Sequence, residues 1–263
     1  MKRFCAVAAV MLLVLVTGSV EAQAIQPVNV GLNDVIATME KSYSSLTDVT
    51  ADFFQRSTLA ASRREMRADG QMFLKPPTSS TPLMFRFDYF RPLTQEIVCN
   101  GRTMWMYMPE NRQVIQSDVS FFFNPFGAGQ YGNQPVNFLQ GLGRFSKDFL
   151  TAFSSPMQDV AGNYVLELTP RRSSVIIRKM YLVINRDAVL AYVTNNRDIS
   201  RIINDPRVPE FAFPLLSSTV IDPQGNTTIM EFSNVRANVR LMDSMFNFDV
   251  PAGVNVVRPP TGR

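Results

Sequence analysis

Side chains able to do covalent chemistry are scarce in this sequence. There is no histidine among its 263 residues. That removes Ser-His-Asp and Cys-His nucleophiles and every histidine-containing zinc site. Of two cysteines, Cys5 lies in the N-terminal apolar run, so Cys99 stands alone in the rest of the chain without a disulfide partner. In an oxidising compartment such a thiol is best buried. No Gly-rich phosphate loop and no G-x-S-x-G turn occurs. A pair of carboxylates could serve a glycosidase, but no spacing marks a pair, and the acidic residues scatter over strands and turns. The chemistry that remains is non-covalent. Met104, Met106 and Met108 alternate with Trp105 and Tyr107, so this short stretch is apolar on both sides.

The elements around that stretch form an antiparallel meander over residues 83–119. Leu83, Phe85, Phe87 and Tyr89 alternate with Arg86 and Asp88, which is the period of a strand. Arg91-Pro92 ends it, because proline has no N–H for a ladder. Residues 95–99 run into Asn100-Gly101, a hairpin signal that predicts a two-residue type I′ loop pairing Ile97 with Met104 and Gln95 with Met106. Residues 113–119 form the next strand. An antiparallel sheet with one wet face alternates cleanly, and residues 103–108 do not. Either a covered sheet or sandwich core, or a concave face lining a cavity for an apolar ligand, accounts for this.

Lys2 and Arg3, the apolar run 4–16 and Ala22-Gln23-Ala24 read as a secretory signal peptide over residues 1–24, with one domain from 25 to 263. The formal charge is +4; losing Lys2, Arg3 and Glu21 changes it to +3. That mild balance carries no basic–aromatic interleaving, and no nucleic-acid partner is expected. At 46% hydrophobic and 18% charged, the chain can bury a sizeable core.

Leu32, Ile36, Met39, Tyr43 and Leu46 make a helical stripe over residues 32–46. Strands are predicted at 49–58, 66–75, 163–169, 176–184, 189–194, 215–221 and 227–235, with a last one carrying Phe246, Phe248 and Val250. Residues 148–153 fit strand or helix turn. Residues 195–214 read as an insertion or long loop with a short helix at 199–203. Residues 120–143 break the rhythm with Phe121-Phe122-Phe123, three glycines and Pro135. Pro135, Gly141 and Gly143 bound a short helix bearing Phe138, Leu139 and Leu142. It is either a surface loop pinned by phenylalanines or a movable apolar lid. The sum is an α+β chain with a curved antiparallel sheet or open barrel.

Several segments, in order, resemble the outer-membrane lipoprotein carrier (LolA) family. They are Tyr43-Ser44-Ser45-Leu46 through Ala51-Asp52-Phe53-Phe54-Gln55; Gly70-Gln71-Met72-Phe73-Leu74-Lys75-Pro76 with Phe85-Arg86-Phe87-Asp88-Tyr89; Asn100-Gly101-Arg102-Thr103-Met104-Trp105-Met106-Tyr107; and Leu166-Glu167-Leu168-Thr169-Pro170-Arg171. Gly225-Asn226-Thr227-Thr228 and the stretch from Phe246 to Val254 complete the set. The resemblance implies an unclosed β-barrel with an N-terminal helix and a short lid helix over a hydrophobic cavity. It also implies a periplasmic monomer without catalysis or cofactor. The partners implied are acylated lipoproteins, the inner-membrane lipoprotein-releasing ABC transporter and an outer-membrane lipoprotein receptor. Where the family often has an arginine that latches the lid, this sequence has Pro76.

An acyl chain needs an adaptable apolar lining, which methionine and phenylalanine provide. Phe85, Phe87, Ile97, Met104 and Met106 are the candidate walls, and Phe138, Leu139 and Leu142 the candidate lid. A lipoprotein-binding sensor or regulatory module of related fold is the alternative, and a carboxylate-based hydrolase a third class.

Overall fold

The computed structural model of the protein describes residues 29–119, 139–205 and 207–259. The expected signal peptide and Phe138 lie outside these residues. The first element is the helix α1 (Leu32–Ser45). Its start is fixed by Asp34, whose carboxylate accepts the Gly31 N–H at 3.1 Å and suits the positive end of the helix. Val35, Met39 and Tyr43 make its buried stripe.

Among the described residues, twelve strands follow: β1 (Val49–Leu59), β2 (Arg64–Lys75), β3 (Met84–Arg91), β4 (Gln95–Cys99), β5 (Thr103–Met108), β6 (Gln113–Asp118), β7 (Phe149–Gln158), β8 (Tyr164–Pro170), β9 (Lys179–Ile184), β10 (Leu215–Ile221), β11 (Thr227–Ala237) and β12 (Asn255–Val257). They form one sheet in the order β12-β6-β5-β4-β3-β2-β1-β11-β10-β9-β8-β7. The two ends of that order do not pair, so the sheet curls without closing. Every pairing is antiparallel except β12 with β6. Residues as far apart in the sheet as Phe85 on β3 and Leu182 on β9 belong to one buried cluster on its concave face. The expected unclosed barrel is therefore present.

Three expectations are corrected. Residues 189–194 are helical, within α3 (Arg186–Thr194). Asn185 is the N-cap, its side chain accepting the Ala188 N–H at 3.0 Å. Ala188, Val189 and Tyr192 then share the buried side. Phe246 ends a short 3-10 turn, Asp243–Phe246, and the last strand comes later, at β12. Finally, the β4–β5 hairpin turns at Gly101-Arg102. Asn100 and Thr103 close it, and Ile97 pairs with Met106 and Cys99 with Met104. Asn100 Oδ1 accepts the N–H groups of Arg102 and Thr103 at 3.0 and 2.9 Å. That Asx turn moves the tip one residue on, with Gly101 at φ +86°, as a type II′ turn wants. The partner slips by two residues, so every side chain keeps its expected face.

The double apolarity of β5 also resolves. Its concave side faces the main core. On the convex side, Phe248 packs against Tyr107 and Trp105 at ring-centroid distances of 5.4 and 6.5 Å. The C-terminal segment thus covers the outside of β5, held by a Lys75–Asp243 ion pair, an Asn100–Asn247 bond of 3.2 Å and the β12–β6 pairing.

Candidate functional site

Register places the five candidate wall residues in two adjacent cross-strand rows on the concave face. One row reads Ala51, Met72, Phe87, Ile97, Met106, and the next reads Val49, Leu74, Phe85, Cys99, Met104. All but Met106, which is half-buried, are buried in the main cluster. Alternation of period two on each strand makes the rows, and the antiparallel register aligns them.

An aromatic group sits at their centre. Phe53 meets Phe87 edge-on at 5.4 Å and Tyr89 at 4.9 Å, and Phe85 meets Phe87 at 6.0 Å. Such tilted pairs favour the ring quadrupoles. Gly70 makes room for them. A Cβ there would lie 2.9 Å from Phe53 Cε1 and 2.0 Å from the Asp88 carbonyl oxygen. A glycine inside a strand pattern signals close approach of this kind.

Polar atoms on this face are few. Tyr89 donates to Gln55 Oε1 at 2.8 Å. The hydroxyls of Ser117, cross-strand from Met104, and Thr151, cross-strand from Leu168, are buried and unpaired among the described residues. Burial pushes the Cys99 thiol up to about 12, so it stays protonated and inert. No three metal-ligating side chains converge among the described residues.

The cover over the concave face comes from three stretches. Helix α1 contributes Val35, Met39 and Tyr43. The segment 195–214 is part of the cover, not a loose insertion. It holds α4 (Ser200–Ile203) and a 3-10 turn, Pro209–Ala212, and Phe213 meets Tyr43 at 6.5 Å and Phe232 at 5.8 Å. Arg197 forks onto both Asp34 carboxylate oxygens at 2.7 and 3.1 Å. That hydrogen bond, more than any other influence, holds the Asp34 carboxyl below its ordinary range.

The third stretch is residues 139–148, with a 3-10 turn at Leu139–Gly141 and a short helix α2 (Phe145–Asp148). Leu139, Leu142 and Phe145 are buried in the main cluster. The Tyr43 hydroxyl donates to the Leu139 carbonyl, and the Ser146 N–H donates to Glu40 Oε1 at 2.8 Å. Leu139 and Leu142 thus join the same apolar interior as the wall residues. Pro76 is buried just after β2. Sequence patterns did not single out Phe53, Met72, Phe213 or Phe232 as neighbours of the wall. The alternation in β1, β2 and β11 carried that signal for Phe53, Met72 and Phe232, but only register shows that they meet, and Phe213 lies outside any strand.

Comparison with known proteins gives the same direction. The family model described as Outer membrane lipoprotein carrier protein LolA matches residues 44–195, more than half of the chain. The outer-membrane lipoprotein carrier protein of Methylobacillus flagellatus is 25% identical over 255 residues, covering 97% of this chain and 98% of that protein. Its namesake in Bordetella avium is 24% identical over 215 residues, covering 82% and 83%. The unclosed sheet, the apolar concave face under helices and this match agree: the chain belongs to the LolA family of outer membrane lipoprotein carrier proteins.

Proposed function

We propose that the protein is a periplasmic carrier, freed of its signal peptide after Ala24. It would hold the acyl chains of lipoproteins against the concave face and escort them from the inner to the outer membrane. The observation that carries this is the pair of apolar rows built from Phe85, Phe87, Ile97, Met104 and Met106, covered by α1 and the segments 139–148 and 195–214 rather than by a second sheet. Removing an acyl methylene from water is worth roughly 0.8 kcal/mol, so a long chain cannot cross an aqueous space unescorted. Methionine side chains adapt to such a chain without gripping it rigidly. Leu139 and Leu142, with Phe138 beside them in sequence, form the lid that an entering chain displaces. The unpaired Ser117 and Thr151 hydroxyls offer donors to ester carbonyls. The protein acts as a monomer, receives cargo from the inner-membrane lipoprotein-releasing ABC transporter and delivers it to an outer-membrane lipoprotein receptor.

The test is extraction of protein purified from the cell envelope after crosslinking, followed by mass spectrometry and a transfer assay. Acylated lipoproteins should be recovered with it, and purified complexes should pass them to outer-membrane vesicles carrying the receptor. Recovery without transfer would make it a lipoprotein-binding sensor, and absence of acylated cargo would overturn the proposal.

A further inference from the structure

The two ends of the sheet differ in charge. The connections β1–β2, β3–β4, β5–β6, β8–β9 and β10–β11 all lie at one end, because the antiparallel register brings them there. Arg63, Arg64 and Arg67 are exposed on the β1–β2 hairpin, where residues 64–68 of β2 run past the last pair with β3. Arg91 and Arg112 are exposed beside the next two turns. Arg171, Arg172 and Arg178 are exposed in or beside the β8–β9 loop, and residues 171–178 contain no acidic residue. Arg67 is ion-paired with Glu65 and Arg91 with Asp69, and Glu110 and Asp222 offset a further part of this charge. At the opposite end, the β9–β10 connection carries Arg186, Arg197, Arg201 and Arg207 against Asp187, Asp198, Asp205 and Glu210, and Arg102 and Arg240 stand with Asp48 and Asp159.

Apolar side chains are exposed at both ends, so their exposure alone distinguishes nothing. At the arginine-rich end they sit among the cations: Val175 is 67% exposed, Leu93 58%, Phe90 52% and Met66 43%. Arginines beside protruding apolar tips match an interface in which head groups are anionic and acyl chains lie just beneath. The arginine stems tolerate that depth while their guanidinium groups stay with phosphates. Leu59 and Met66 also continue the concave face of β1 and β2 outward, since their strand parity is that of Phe53 and Met72. The concave face of β1 and β2 therefore runs on to this end, past Gln55 and Ser57.

We propose that this end, formed by the β1–β2 hairpin, the β3–β4 turn and the β8–β9 loop, docks on an anionic phospholipid bilayer. Docking here would set Phe90 and Leu93 at the acyl boundary and turn this end of the concave face toward the membrane. The surface does not depend on what the interior binds, and a protein without lipoprotein cargo should dock equally well.

The test is co-sedimentation of the purified protein with phosphatidylethanolamine vesicles containing phosphatidylglycerol, against vesicles of phosphatidylcholine alone. Binding should appear only with the anionic vesicles and fall steeply with salt. Arg63→Glu with Arg64→Glu should weaken it tenfold or more, and Phe90→Ser with Leu93→Ser several-fold. Arg186→Glu with Arg240→Glu, of equal charge change at the opposite end, should leave it nearly unchanged. An environment-sensitive dye on Leu93→Cys should shift to the blue on anionic vesicles, while the same dye on Arg186→Cys should not. The buried Cys99 leaves labelling at these positions selective. Absent binding, equal binding to phosphatidylcholine, equal loss from the opposite-end pair, or equal dye shifts at both positions would each overturn the proposal. A failure here with acylated cargo still recovered would leave the carrier function intact.

Discussion

Replacing Tyr43 by phenylalanine isolates the docking of residues 139–148 on α1. The ring keeps its place beside Phe213, and only the hydroxyl that donates to the Leu139 carbonyl is lost. In the docked state that carbonyl is left buried without its donor, at a cost of about 1–3 kcal/mol. Once the segment lifts, the carbonyl meets water and the cost disappears, so the penalty falls on the docked state. Docking is held mainly by Leu139, Leu142 and Phe145, each worth roughly 1.5–3 kcal/mol of burial. The substitution therefore weakens the closed state without abolishing it. At about 1.4 kcal/mol per decade, the lifted population should rise roughly fivefold to 150-fold. Hydrogen exchange should report this most directly at the Ser146 amide, which bonds across to Glu40 Oε1 on α1, and at the neighbouring Arg144 and Lys147 amides. A fluorescent acyl probe should load faster by a comparable factor. Faster exchange at those amides with unchanged loading would show that the segment is not the gate. Unchanged exchange would show that the Tyr43 bond does not hold it.

Met106→Glu should weaken acyl binding at least tenfold, about 1.4 kcal/mol, while the fold persists because this site is only half-buried; acyl-probe titration beside circular dichroism checks it, and unchanged affinity would remove Met106 from the wall. Gly70→Ala should cost about 1–3 kcal/mol by overpacking, because its Cβ meets the Asp88 backbone, which cannot swing away. At roughly 2–4 °C per kcal/mol for a domain of this size, thermal melting should fall by several degrees, and an unchanged melt would contradict the close approach. The depressed Asp34 carboxyl predicts a pH-dependent contribution. Since its folded value lies below the unfolded one of about 3.9, the stabilisation is full above that value and is lost as pH falls through the folded value. The difference in melting temperature between the protein and Arg197→Gln should therefore be largest near neutrality and shrink in acid; a gap that stays constant would sink the pairing.

Much of the fold was legible because its strands alternate strictly. The pattern from Phe85 to Tyr89 and the bounds of β4 and β5 could be read directly, and each candidate wall residue faces the interior. Parity survives a register slip of two, which is why the Asn100 side chain could move the turn without moving Ile97 or Met106 to the other face. Residues 189–194 were misread because Val189, Tyr192 and Val193 favour strands locally, whereas Asn185 capping and burial of Ala188 and Val189 against the cover decide for helix. The packing of Phe213 on Phe232, and of Phe248 on Tyr107, joins residues far apart in sequence or set by irregular segments. No periodicity announces such contacts.

The seam between β1 and β11 has a kinetic consequence. Hairpins β1–β2 through β5–β6 join neighbours in sequence and can form as soon as those residues are available. By contrast, Val49 pairs with Ala237 and Phe53 with Phe232, so the two halves of the sheet meet across most of the chain. Closure over such a separation pays its entropy before it gains contacts and is slow. A chain emerging N-terminus first therefore carries a half-built trough, with Phe53, Met72 and Phe87 wetted until β11 arrives. The step most exposed to aggregation is that last stitch, and a truncation before Thr227 leaves the trough permanently open.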